Sequence, residues 1–268
     1  MGGAPVAPAP PHPMPAVFVG HGNPMNAVES NSYTAGWEAL ARSIPTPRAI
    51  VSVSAHWYVR GTRVTAMERP RTIHDFGGFP RELYDVQYPA PGDPKLAERL
   101  EKLLSPTRVD PDTSWGLDHG TWSVLVRMYP KAHIPVVQLS IDRTQPPSVH
   151  YEIARRLAPL RDEGILLFGS GNLVHNLEAY SWGAHRPEPY PWALEFDSRV
   201  RKALAEGRHE PLVGYDAMGE VAEMAVPTPD HYLPFLYILA QRRPGEPCSY
   251  PVDGFDGGSI SMTAVRVG

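Results

Sequence analysis

The chain has 268 residues, 42% of them hydrophobic, which suits one large or two small domains with a sizeable core. A formal net charge of −4 offers no basic footprint for nucleic acid or for a membrane surface. A single cysteine excludes a disulfide framework and a thiol zinc site, while 11 histidines suffice for a metal site without thiols.

In chain order, residues 1–15 are proline-rich ("APVAPAPPHPMP") and are expected to form an extended or disordered arm. One domain is expected to span 16–268. The run AVFV (16–19) predicts a buried strand that stops at Gly20-His21-Gly22. AIVSVS (49–54) predicts a second strand, closely followed by His56. RVTAM (63–67) reads as a third. Asp93 as N-cap and Pro94 in the first turn open a helix over 93–104. A buried helix is expected over 120–130, then a strand over 134–139. Val149, Ile153, Leu157 and Leu160 recur at helical spacing, which predicts a helix over 148–160. ILLFG (165–169) is a further strand. A helix over 191–207 stops at Gly207, and one over 228–241 is opened by Thr228 and Pro229 and kinked at Pro234. The alternating run 259–267 predicts an edge or antiparallel strand. Continuous apolar strands between helices indicate an α/β fold, a single domain with a central mixed, mostly parallel sheet flanked by helices.

In open α/β sheets, ligands bind outside the carboxyl ends of the strands. His21 and His56 follow strand ends, and His175 follows the strand end Gly-Ser-Gly-Asn (169–172). A packed histidine bonded to a carbonyl would explain any one of these. If the strands are parallel neighbours, the three imidazoles share a rim, and imidazole is the commonest metal ligand. Gly20, Gly22, Gly169 and Gly171 are expected to leave room for substrate or metal near the backbone. His119, in "SWGLDHGTW", suits a pocket wall. His74, in "TIHDFGGFP", belongs either to an aromatic-binding lid or to an ordinary packed loop. His231 alone reads as a helix-cap histidine. His133, His150, His185 and His209 are expected at the surface, and His12 lies in the arm. No phosphate loop, dinucleotide fingerprint, complete nucleophile elbow or H-E-x-x-H is present.

Eight segments in order, "GHGNPMNA", "SAHWYVRG", "TIHDFGGFP", "YPAPGDP", "WGLDHGTW", "VQLSID", "GSGNLVHNL" and "PTPDHYLP", closely resemble the 4,5-DOPA extradiol dioxygenase family of class III extradiol enzymes. The resemblance implies Fe(II)-dependent opening of a catechol such as DOPA by O2. It implies metal ligands at His21, His56 and His231, with His175 as acid/base and as a candidate fourth ligand. It implies His119 as a second catalytic histidine, and His74, Phe76 and Trp57 as substrate-binding residues. Many class III enzymes use a carboxylate as the third ligand. The matching residue here is His231, so Zn(II) is also expected to occupy the site in purified protein. The expected partners are a small catechol and O2, with no nucleic acid and no membrane, and a cytoplasmic location follows. The alternatives are a zinc hydrolase on the same histidines and a non-catalytic metal-containing binding protein.

Overall fold

The computed structural model describes residues 12–183 and 188–268. Its strands are β1 (Ala16–Gly20), β2 (Ala49–Val59), β3 (Thr62–Thr65), β4 (Val109–Asp112), β5 (Val136–Asp142), β6 (Ile165–Gly171), β7 (Cys248–Val252), β8 (Phe255–Asp256), β9 (Ile260–Ser261) and β10 (Ala264–Val267). Eight of them form one sheet in the order β4-β3-β5-β2-β6-β1-β10-β7, and β8 and β9 make a separate short ribbon. The four central strands β5, β2, β6 and β1 are mutually parallel. β3, β10 and β7 each run antiparallel to an inner neighbour.

The central strands read as unbroken apolar runs because both faces are covered. On β1, Ala16 and Phe18 enter one core, while Val17 and Val19 enter the other. The first core also takes Leu96 and Leu100, Ile153, Phe196 and Val200, and Phe235. These come from helices Pro94–Leu103, Pro147–Arg155, Pro191–Ala205 and Leu233–Leu239. The second core takes Trp37 and Leu40 from helix Ser32–Ser43 and Trp122 and Leu125 from helix His119–Met128.

Several boundaries differ from expectation for local reasons. Helix Ser32–Ser43 escaped the pattern because Gly36 interrupts it, yet Asn31 and Thr34 form a reciprocal capping box. The stretch 148–160 breaks before Pro159, giving helices Pro147–Arg155 and Pro159–Asp162. Pro234 opens helix Leu233–Leu239 and does not kink it, so His231 stands in the turn before that helix. The last expected strand divides into β9 and β10, and β10 is interior to the sheet, with β7 outside it. His150 is not at the surface: it is fully buried, bridging the Tyr237 hydroxyl at 3.0 Å and the Asp142 carbonyl at 3.1 Å. Of the proline-rich arm, residues 1–11 lie outside the described residues, as does His185. Met14 is buried, and its amide donates to the Arg161 carbonyl at 2.9 Å.

Candidate metal centre

β1, β6 and β2 are adjacent and parallel, so their carboxyl ends form one rim. His21 follows β1 directly, and its amide donates to the Gly171 carbonyl at the end of β6. His56 lies inside β2, not beyond it. Between Val53 and Tyr58, β2 advances five residues while its partner β5 advances two. This irregularity takes residues 54–57 out of register with β5, while Ser54 still pairs with Ser170 of β6, and His56 lines the rim cavity. Asp118 accepts from the Thr121 amide and caps helix His119–Met128, which sets His119 at the first turn.

The rings of His21, His56 and His231 form a nearly equilateral triangle. Their centroids are 5.1 Å (His21–His56), 5.3 Å (His21–His231) and 5.2 Å (His56–His231) apart. The Nε2 atoms of His21 and His56 face each other at 3.2 Å. His119 also sits close: one ring nitrogen each from His21, His56 and His119 lie within 4.8 Å of one another. The His119 ring, however, packs against His56 at only 3.8 Å between centroids. His175 does not complete the triangle. It stacks on His231, with centroids 3.5 Å apart and planes within 3°.

His21 and His231 are oriented from behind, and Asp75 lies beside His119 and His56. Ser170 Oγ donates to the Gly120 carbonyl and therefore accepts from His21 Nδ1, at 3.0 Å. Asp230 Oδ2 holds His231 Nδ1 at 2.5 Å. Asp75 takes the His119 amide on one oxygen at 2.9 Å. Its other oxygen lies 3.0 Å from His119 Nδ1 and 3.5 Å from His56 Nδ1. For His21 and His231, backing of Nδ1 fixes the tautomer and leaves the Nε2 lone pair for a cation. Asp75 was not singled out in the sequence, and Ser170 and Asp230 were weighed only in other roles, because a second partner of this kind carries no local pattern.

Burial lowers the His21 and His56 pKa values well below the free value, and neighbouring imidazoles push them further down. Burial and His231 bring His175 down to about 3. These rings are neutral at pH 7, the form that ligates a metal or accepts a proton. Burial opposes ionisation of Asp230, but its bond to His231 outweighs that and keeps the carboxyl well below its usual range.

The rim histidines floor a cavity of about 280 Å3, walled by Phe76, Phe79, Leu177, Tyr180, Trp182 and Ile260. A larger groove of about 730 Å3 near Pro89–Lys95 contains no histidine. Phe76 lines the cavity. His74 stands behind it, its Nε2 on the Val86 carbonyl at 3.0 Å and its ring edge-on to Phe76. Trp57 is turned away. One residue beyond His56, it faces the opposite side of the strand, is buried, and stacks on Trp115 with planes within 2°.

Gly20, Gly169 and Gly171 serve the backbone and do not open space for a ligand, whereas Gly22 lines the cavity. A Cβ on Gly171 would lie 2.1 Å from the His231 carbonyl oxygen, and one on Gly169 would lie 2.7 Å from that of Pro234. Gly20 is closed in the same way by Ser261 and Met262. These close approaches draw the 231–238 segment onto β6 and bring His231 over the rim.

A family model described as the catalytic LigB subunit of aromatic ring-opening dioxygenase matches residues 10–242. The 4,5-DOPA dioxygenase extradiol of Escherichia coli is 54% identical over 259 residues, 95% of each chain. That of Beta vulgaris is 36% identical over 259 residues, 93% of this chain and 94% of the other. A solved structure of an uncharacterized protein from Escherichia coli K12 matches with a TM-score of 0.83 at 49% identity, covering 95% of this chain and 100% of that one. The chain therefore belongs to the LigB family of aromatic ring-opening dioxygenases.

Proposed function

We propose that the protein is an extradiol dioxygenase that opens a catechol, DOPA or a close relative, on Fe(II) held by His21, His56 and His231. The triangle of rings carries this reading. A ligand nitrogen sits about 2.1 Å from an iron- or zinc-sized ion, so two ligand ring centroids stand about 5 Å apart at roughly tetrahedral angles. The three observed separations of 5.1, 5.2 and 5.3 Å fit one shared ion. His119 also brings a ring nitrogen within 4.8 Å of those of His21 and His56, and its ring packs at 3.8 Å on His56. Its place on Asp75 suits a donor to a substrate oxygen.

His175 fits the proton-transfer role better than a fourth ligand. A ligand's lone pair lies in its ring plane. The His175 and His231 rings are parallel with centroids 3.5 Å apart, so their in-plane lone pairs do not converge on one point. As a neutral imidazole, His175 can take a phenolic proton from a catechol in the cavity and return one later. The aromatic walls hold the ring and exclude water. Bound Fe(II) would supply the electronic link between catechol and O2. A site of three neutral imidazoles also accepts Zn(II), and zinc supports the rival hydrolase reading.

Anaerobic loading with Fe(II) or Zn(II), followed by catechol and then O2, separates the two. The expected result is O2 uptake and a coloured ring-opened product with iron alone. Equal turnover with zinc in the absence of O2 would overturn the oxygenase.

A further inference from the structure

We propose that Asp75 is a positioning residue shared by two histidines: one carboxylate sets the tautomer of His56 and the edge that His119 turns to the cavity. The proposal rests on the reading of His56 as a metal ligand. One Asp75 oxygen, Oδ1, accepts the His119 amide at 2.9 Å. The other, Oδ2, faces two ring nitrogens, His119 Nδ1 at 3.0 Å and His56 Nδ1 at 3.5 Å. A carboxylate ion offers no hydrogen, so an Nδ1 that faces it is favoured in its N–H form. The Nε2 edge of each ring is then left for the cavity that both histidines line. His56 shows this arrangement, because its Nε2 faces that of His21 at 3.2 Å. A shared anion also favours the close packing of these two rings, with centroids 3.8 Å apart.

The backbone delivers Asp75 to this point. Thr72 forms a parallel bridge to Leu117. The Leu117 amide donates to the Arg71 carbonyl, and the Ile73 amide donates to the Leu117 carbonyl, each at 2.8 Å. Gly116 permits the approach, since a Cβ there would lie 2.3 Å from the Arg71 carbonyl oxygen. Trp122 Nε1 ties the same stretch to the helix by donating to the Ile73 carbonyl at 2.7 Å. Asp75 therefore arrives at the first turn of helix His119–Met128, where free amides and the helix dipole favour an anion.

Asparagine at this position would keep the shape and reverse the chemistry on one side. The His119 amide can only donate, so the asparagine oxygen stays on it and the NH2 group turns to the rings. That group donates hydrogen, which favours a bare Nδ1 and places the ring hydrogen on Nε2. His56 in that form has no Nε2 lone pair for an ion. Alanine would remove the partner altogether and leave the choice of tautomer to water.

The test compares Asp75→Asn and Asp75→Ala with the unaltered protein at pH 7.5. Zn(II) affinity is measured by chelator competition. Nitrogen NMR of the metal-free, histidine-labelled protein reads which ring nitrogens carry hydrogen. In the unaltered protein, Nδ1 of both His56 and His119 is expected to carry it. Asp75→Asn is expected to bare both Nδ1 atoms and to weaken Zn(II) binding about 100-fold, and Asp75→Ala to weaken it about tenfold. A role in packing alone predicts the reverse order, because asparagine fills the space and alanine leaves it empty. A loss in Asp75→Ala equal to or greater than that in Asp75→Asn would overturn the proposal. So would a bare Nδ1 on either ring of the unaltered protein. Ring opening of a catechol by the Fe(II)-loaded protein is measured separately. The expected tautomers and affinity order without any ring opening would uphold the role of Asp75 and overturn the proposed activity.

Discussion

The imidazoles of His175 and His231 lie face to face, 3.5 Å apart, while His231 alone is tied to a carboxylate, Asp230. In the proposed reading, one ring is fixed as a donor to a cation and its neighbour is left to exchange protons. His175→Ala is expected to lower turnover at least 100-fold and to leave metal content within about twofold of normal. Metal analysis and initial rates check this. Parallel loss of metal would make His175 a ligand.

Asp230→Ala removes the group that orients His231. Loss of such a partner costs about 10- to 100-fold in metal affinity. The expected outcome is that decrease, measured by chelator competition, with the far-ultraviolet circular dichroism unchanged.

Gly171→Ala removes no metal-facing side chain, yet its methyl group would meet the His231 carbonyl. The turn must move outward, and His231 moves with it. Metal affinity is expected to fall at least about tenfold, comparable with removal of an orienting partner. Unaltered affinity would show that the turn is not seated by that contact.

The histidines set a pH dependence in the metal-free protein. His21, His56 and His175 have folded pKa values below 6.5, the last at about 3. The unfolded chain therefore binds protons that the folded chain refuses. Stability from these groups is complete above about pH 6.5 and is lost as the pH falls toward 3. Asp118, raised to about 6 by burial and by the Asp75 charge, works in the opposite sense between 6 and 3.8. Three groups outweigh one, so the urea midpoint is expected to be lower at pH 5 than at pH 7.5. Metal at pH 7.5 should raise the midpoint further.

His150→Ala probes the fold apart from the site. It leaves a buried cavity and strips the Tyr237 hydroxyl of a partner. The expected cost is about 2–4 kcal/mol in chemical denaturation. Metal stoichiometry should stay at the normal level.

His21, His56 and His175 could be read from the sequence because parallel sheets collect function at their carboxyl ends, and each follows or ends an apolar run. His231 could not be read this way. It reaches the rim from a turn before a short helix, and only the family resemblance singled it out. Trp57 was misplaced for a geometric reason: the β2 bulge presents His56 to the cavity and sends the next side chain into the core. The buried role of His150 and the Asp75–His119 contact depend on partners distant in the chain, which periodicity does not reveal. The parallel centre of the sheet was predictable from unbroken apolar runs. The interior place of β10 was not, because alternation reports a half-buried face and says nothing about neighbours.

The triangle of rings draws on residue 21, residue 56 and residue 231, and β1, β2 and β6 must all be paired before those rings meet. No fragment of the chain contains a pre-assembled chelate. Capture of the ion is therefore a report on completion of the whole domain. Under the proposed ligand set, a nascent chain that has not yet emitted its last forty residues lacks His231 and cannot close the three-histidine site.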